Sequence, residues 1–227
     1  MEVCLEAFLA GAADGHVVVA RRQTAGRGRT GRAWHSSDEG GLYLSLLLRG
    51  FTEPPAGLTL AAGLGVGEAV RRLGAPDVRL KWPNDVLLGE RKAAGILTQW
   101  IAGGGAEVNG GGGAIVGVGL NVAQRTFPPD LVALATSIAL ETGRTPTLAA
   151  ALDALLDALD EAVDAFRRGG LAWAVPEWSA RSGLWGRRAR TAGVEGTMER
   201  LEADGSLVVR TDAGESTIVT AGAVELL

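Results

Sequence analysis

The stretch "RRQTAGRGRTGRAWHSS" sets Arg21, Arg22, Arg27, Arg29 and Arg32 among glycines, with no acidic residue to offset them. Each guanidinium offers a planar fork of donors that matches carboxylate or phosphate oxygens. Gly26, Gly28 and Gly31 let the backbone come close to a ligand and permit positive φ. The chemistry this suggests is the holding of an anion. It is not a Walker loop, because no Gly-Lys-Ser/Thr ends it and a strand-like run follows it rather than a helix. A solvated basic loop, or a patch for nucleic acid, is the alternative at this point.

Two more segments carry reactive side chains. In "KWPNDVLLGERKAAGIL", Pro83 forces Trp82 into an extended or turn conformation, which puts Asn84 and Asp85 at a strand end where they can point into a cleft. Asn-Asp is also ordinary turn chemistry. Lys92 begins the apolar run "AAGIL", so its ammonium is expected at the mouth of a sheet, the plainer reading being a strand-flanking solubility lysine. In "GVGLNV", the glycines Gly117 and Gly119 followed by Asn121 suggest close approach of another backbone or a flat ligand.

These residues need elements to position them. Residues 2–10 read as a short helix stopped by Gly11, and "HVVVAR" as a buried strand leading into the arginine loop. "GLYLSLLLR" is the strand after the loop. "PPAGLTLAAGLGVGEAVRRLG" has mostly helical spacing, its internal glycines implying close helix packing. "VRLKW", "AAGILTQWI" and "AIVGVGLNV" read as strands, separated by turn-rich "PNDVLLGERK" and by a low-complexity hairpin tip, "GGGAEVNGGGG". "TPTLAAALDALLDALDEAVDAFRRGG" reads as a helix capped by Thr145 and ended at Gly169. From about residue 186, short alternating segments split by "ADG" and "DAG" turns make a small β module, with Trp173, Trp178 and Trp185 packing the junction. The domains expected are 1–183 and 184–227. Without regular βαβ alternation the fold class is α+β: a mixed, largely antiparallel sheet with helices on one side. An exposed sheet edge could accept a second subunit, giving a possible homodimer, or a partner strand.

Composition narrows the partners. With 22 basic against 26 acidic residues, the overall field slightly repels nucleic acid and anionic membranes. One cysteine, Cys4, excludes an internal disulfide framework, fits a reducing cytoplasm and reads as a small apolar residue. No apolar run approaches the ~20 residues that span a bilayer, so no membrane partner is expected. His16 and His35 lack ligand-spaced partners and read as surface or hydrogen-bonded histidines.

Taken together and in this order, "GRGRTGRAW", "KWPND", "RKAAGIL" and "GVGLN" resemble the catalytic domain of biotin protein ligases, a class II synthetase/biotin ligase-like fold. The C-terminal module is similar to that family's SH3-like β-barrel. The resemblance implies ATP-dependent activation of biotin to biotinyl-5′-AMP, with Mg²⁺, and transfer to a lysine of a biotin carboxyl carrier domain. It implies Gln23, Gly26, Arg27, Gly28, Arg29, Lys92 and Gly95 around biotin, and Arg29, Arg32, Trp34, Asn84, Gly119 and Asn121 around ATP. Lys92, Arg29 and Asp85 would be catalytic: Lys92 bridging carboxylate and α-phosphate, Asp85 serving the metal side or taking the incoming lysine's proton.

Two departures accompany the resemblance. The family's usual Ser-Thr-Asn segment before the first helix has no counterpart in "MEVCLEAF". No helix-turn-helix precedes the catalytic segment, so no sequence-specific DNA binding is expected. The other readings are a lipoyl or octanoyl transferase of related fold, and a nucleic-acid-binding module using the arginine loop with "RSGLWGRRAR".

Overall fold

Alternation along the longest strands divides the molecule into two faces. The computed structural model describes residues 1–36, 40–103 and 111–227. In chain order the elements are α1 (Glu2–Leu9), β1 (Val17–Ala20), β2 (Gly41–Phe51), α2 (Leu58–Arg72), β3 (Val78–Lys81), β4 (Asp85–Leu88), β5 (Arg91–Ile101) and β6 (Gly112–Asn121). Then come α3 (Ile138–Thr142), α4 (Leu148–Ser182), β7 (Arg188–Thr191), β8 (Val194–Leu201), β9 (Leu207–Thr211), β10 (Ser216–Val219) and β11 (Glu225–Leu226). β1 to β6 form one sheet in the order β1-β2-β6-β5-β4-β3. Among the described residues every ladder in it is antiparallel, and an isolated bridge between Lys92 and Ala135 is parallel.

Successive side chains on a strand point to opposite faces. Leu42, Leu44, Leu46 and Leu48 of β2, with Ala114, Val116, Val118 and Leu120 of β6, belong to the main core with α2 and α4. Leu47 and Ile115 point the other way and meet Cys4 and Phe8 of α1 in a second, smaller cluster. α2 and α4 therefore take one face as expected, while the short α1 covers part of the other. Burial pushes the Cys4 thiol up, in keeping with a packing role. Arg49 holds the end of α1, donating to Ala12 O at 2.6 Å and Phe8 O at 2.7 Å with its guanidinium over the Phe8 ring.

The expected close packing of α2 is real. A Cβ on Gly65 would lie 2.9 Å from Ala158 O and 3.1 Å from the Leu159 Cα, so the backbones of α2 and α4 touch there. Three local expectations are corrected. β1 is an edge strand, half-buried rather than buried, with Val19 46% exposed. "DVLL" is a strand, not a turn, because Val86, Leu87 and Leu88 are all buried between neighbours on both sides and show no alternation to announce it. α4 is capped by Thr147, whose hydroxyl accepts from Ala150 N at 3.1 Å, and it breaks at Gly170 (φ 53°) but resumes through Pro176 to Ser182. The expected "GGGAEVNGGGG" tip falls largely outside the described residues, though β5 and β6 pair up to Ile101 and Gly113 on either side of it.

β7 to β11 form a second antiparallel sheet in the order β10-β9-β8-β7-β11. Its Ala189, Met198, Leu201, Leu207 and Val209 join the main core without a break. Trp178 and Trp185 meet at the junction with ring centroids 6.0 Å apart, and Trp173 packs against the same core. Among the described residues no helix is long and apolar enough to cross a membrane.

Candidate active site

A cleft of about 530 Å³ opens on the sheet face opposite α2 and α4. Its floor follows from the strand register. Gly119 pairs with Tyr43 on one side and Gly95 on the other, and Gly117 pairs with Ser45 and Leu97, so three facing positions carry no side chain. The indole of Trp34 fills part of that space: a Cβ on Gly119 would lie 2.5 Å from the ring, and one on Gly95 2.8 Å from it. The Trp34 Nε1 is buried there without a hydrogen-bond partner among the described residues.

The arginine loop forms the roof as a small hairpin. Arg27 and Ala33 pair as an antiparallel bridge, Gly28 N donates to Arg32 O at 2.7 Å and Trp34 N donates to Gly26 O at 2.9 Å. A 3-10 turn, Arg29–Gly31, makes the tip, with Gly31 at φ 76°. Gln23 N donates to Ser36 Oγ at 2.9 Å, closing the base. Arg27 pairs with Glu2 at the start of α1. Arg29 is more deeply placed: burial pushes its guanidinium below the usual arginine range, with the Asp85 charge opposing.

Asp85 is the charged centre of the floor. It faces Lys81 across the β3–β4 pair, and a three-residue link with a cis Trp82–Pro83 bond joins the two strands. Its Oδ1 lies 2.5 Å from Lys92 Nζ and its Oδ2 3.1 Å from Lys81 Nζ. Lys92 Nζ also sits 5.2 Å from the centre of the Trp34 ring. A carboxylate between two ammonium groups, with a guanidinium nearby, leaves the site net positive and able to receive an anion.

Most of the expected site residues come together. Gln23, Arg27, Gly28, Arg29, Arg32 and Trp34 line the cleft from the loop. Asn84, Asp85, Lys92, Gly95 and Gly119 line it from the sheet, with Asn84 Nδ2 donating to Ile96 O at 2.8 Å. Gly26 stands behind the lining, where its carbonyl holds Trp34. Asn121 is not brought in: it is buried at the end of β6, donates to Thr136 O at 2.9 Å and accepts from Gln124 at 3.2 Å. Residues not read from sequence include Met1, Glu2 and Leu5 at the start of the chain, Lys81, and Gly222, Ala223 and Val224 between β10 and β11. Lys81 was legible in principle, since a lysine four residues before Asp85 across a tight strand pair must face it. Nothing in the sequence marks residues 222–224.

Both Asp85 oxygens are engaged by ammonium groups, Oδ1 by Lys92 and Oδ2 by Lys81, and among the described residues no second carboxylate joins them there. Among the described residues no three His, Cys, Asp or Glu side chains gather to hold a metal.

The sequence profile described as the biotin/lipoate A/B protein ligase family matches residues 4–121, just over half the chain and all of the loop and floor. This chain belongs to that family. Its relatives in the family include the biotin–[acetyl-CoA-carboxylase] ligase of Paracoccus denitrificans, 34% identical over 90% of this chain and 88% of that protein. The bifunctional ligase/repressor BirA of Bacillus subtilis is 31% identical over 92% of this chain and 66% of its own length. The chain spans 41–66% of the length of the bifunctional relatives it matches. Among solved structures, the biotin protein ligase from Aquifex aeolicus in complex with biotin and ATP superposes with a TM-score of 0.82, at 29% identity, over 98% of this chain and 93% of that one.

Proposed function

We propose that this chain activates biotin with ATP to biotinyl-5′-AMP and transfers the biotinyl group to a lysine of a biotin carboxyl carrier protein. The observation that carries the reading is the convergence of Arg29, Lys92 and Asp85 over a glycine floor, in a chain similar to a biotin–[acetyl-CoA-carboxylase] ligase and to a structure holding biotin and ATP.

In the first step a biotin carboxylate oxygen attacks the α-phosphorus, the bond to the β-phosphate bridge breaks and pyrophosphate leaves. Two anions must touch, so their repulsion has to be offset by positive groups already in place. Lys92 supplies a mobile point charge between them, and Arg29 a planar fork from the loop tip. Arg27 and Arg32 add charge on the biotin and phosphate sides. In the second step the carrier's ε-amine attacks the acyl carbon, AMP leaves and the amine loses a proton, for which Asp85 is the acceptor within the cleft. Closure of the loop hairpin keeps water from the anhydride. Trp34 covers the adenine on this reading, and residues 184–227 act as an appended module that contributes residues 222–224 to the rim. Magnesium would enter as the counter-ion of ATP.

The test is to mix the protein with biotin, MgATP and a carrier domain and to look for a carrier lysine heavier by one biotinyl group. Modification with lipoate but not biotin overturns the assignment.

A further inference from the structure

Resting on the ligase reading, we propose that Lys81 is a positioning residue for adenylation: by occupying one oxygen of Asp85, it keeps that carboxylate from holding Lys92 back from the substrate anions. The geometry points to a shared counter-ion. Lys81 and Asp85 are directly opposed in the β3–β4 ladder, and their groups meet at 3.1 Å on the floor of the cleft. Lys92 reaches the other oxygen at 2.5 Å. The side chains differ in freedom: Asp85 is 13% exposed, Lys81 19% and Lys92 32%, so the pair on the sheet is the more enclosed and Lys92 the one with room to move.

The physical consequence is a division of labour. Attraction between opposite charges grows as water is excluded, so a half-enclosed carboxylate with one ammonium partner would grip that partner firmly. With two partners the negative charge is divided, and the departure of one does not strand an uncompensated carboxylate. Both lysines stand on strands, β3 and β5, so the difference between them is in the side chain, where Lys92 is the more exposed. Lys81 thus stays with Asp85 when Lys92 turns to the biotin carboxylate and α-phosphate. Lys81 need not touch either substrate to do this.

The test is a double-variant cycle read as biotin-dependent pyrophosphate release by the full chain, with kcat and the KM values for biotin and MgATP measured separately. Lys81→Met keeps the length of the stem and removes the charge. It is expected to lower kcat about tenfold while each KM moves less than about threefold. Lys81→Arg, which restores a cation, is expected to recover most of that loss. Asp85→Asn added to Lys81→Met removes the grip on Lys92, so the double variant should adenylate faster than Lys81→Met alone. That suppression is what a merely structural lysine would not give. A Lys81→Met enzyme with unchanged kcat, or a double variant as slow as the single one, overturns the proposal while leaving the ligase reading intact. Absence of biotin-dependent pyrophosphate release from the unaltered chain overturns the ligase reading itself, and this proposal with it.

Discussion

Two regions of this molecule are rich in arginine, and they spend their charge differently. In the C-terminal sheet each arginine named in the "RRAR" run and beyond is matched to a carboxylate. Arg187 meets Glu90 at 2.7 Å, Arg188 meets Asp212 at 2.5 Å and Glu195 at 3.1 Å, and Arg190 meets Glu195 at 3.1 Å. Arg200 meets Glu202 at 2.8 Å, and Arg210 pairs with Glu199. The loop from Arg21 to Ser36 contains no acidic residue, and its deepest arginine is set in a desolvated place beside Asp85. The same residue type thus serves a neutral, solvated surface in one place and a positive cleft in the other. Arginine count alone does not separate the two regions; what lies around each guanidinium does.

The sharpest way to break this contrast is to remove charge from the cleft. Lys92→Ala or Arg29→Ala is expected to cost about 3 kcal/mol in adenylation, roughly 10²-fold in pyrophosphate release, as for loss of a preorganised donor. Next comes the support of the loop. In Gly119→Val the added methyls collide with Trp34, whose expulsion would loosen the hairpin, for an expected cost of about 1–3 kcal/mol visible as slower adenylation. By comparison Arg188→Ala or Arg210→Ala should leave the midpoint of a denaturant titration nearly unchanged and adenylation untouched, because exposed ion pairs contribute little. Smallest, and confined to acid, is Asp14→Asn. Burial raises the Asp14 carboxyl, but the Arg167 hydrogen bond and the Arg49 N–H outweigh it and hold it below the usual carboxylate range. Its contribution is present above the unfolded value near 3.8 and is lost as pH falls through the lower folded value, so the variant should show a flatter acid limb in a stability profile.

What the sequence made legible follows from how locally each feature is determined. β2, β5 and β6 show as long apolar runs, and α2 by its spacing. The loop and the "KWPND" turn carry their chemistry in consecutive residues. β4 escapes the pattern because three successive buried residues, Val86 to Leu88, carry no period, and Lys81 because its partner is defined by the pairing of strands. Asn121 looked like a ligand group, but its amide is consumed by Thr136 and Gln124, which only the three-dimensional arrangement reveals. The continuation of α4 past Gly170 was hidden by a glycine and a proline that ordinarily end helices.

The hydrogen bond from Trp82 Nε1 to Gly205 O, 2.9 Å long, has a mechanical implication. It staples the link between β3 and β4 to a tight bend of the C-terminal sheet, and the apolar interior runs unbroken beneath it. Calorimetry should therefore record one heat-absorption peak for the entire polypeptide, and removing the residues after Gly183 should take away the acceptor of that indole, open it to water and spoil catalysis along with cohesion.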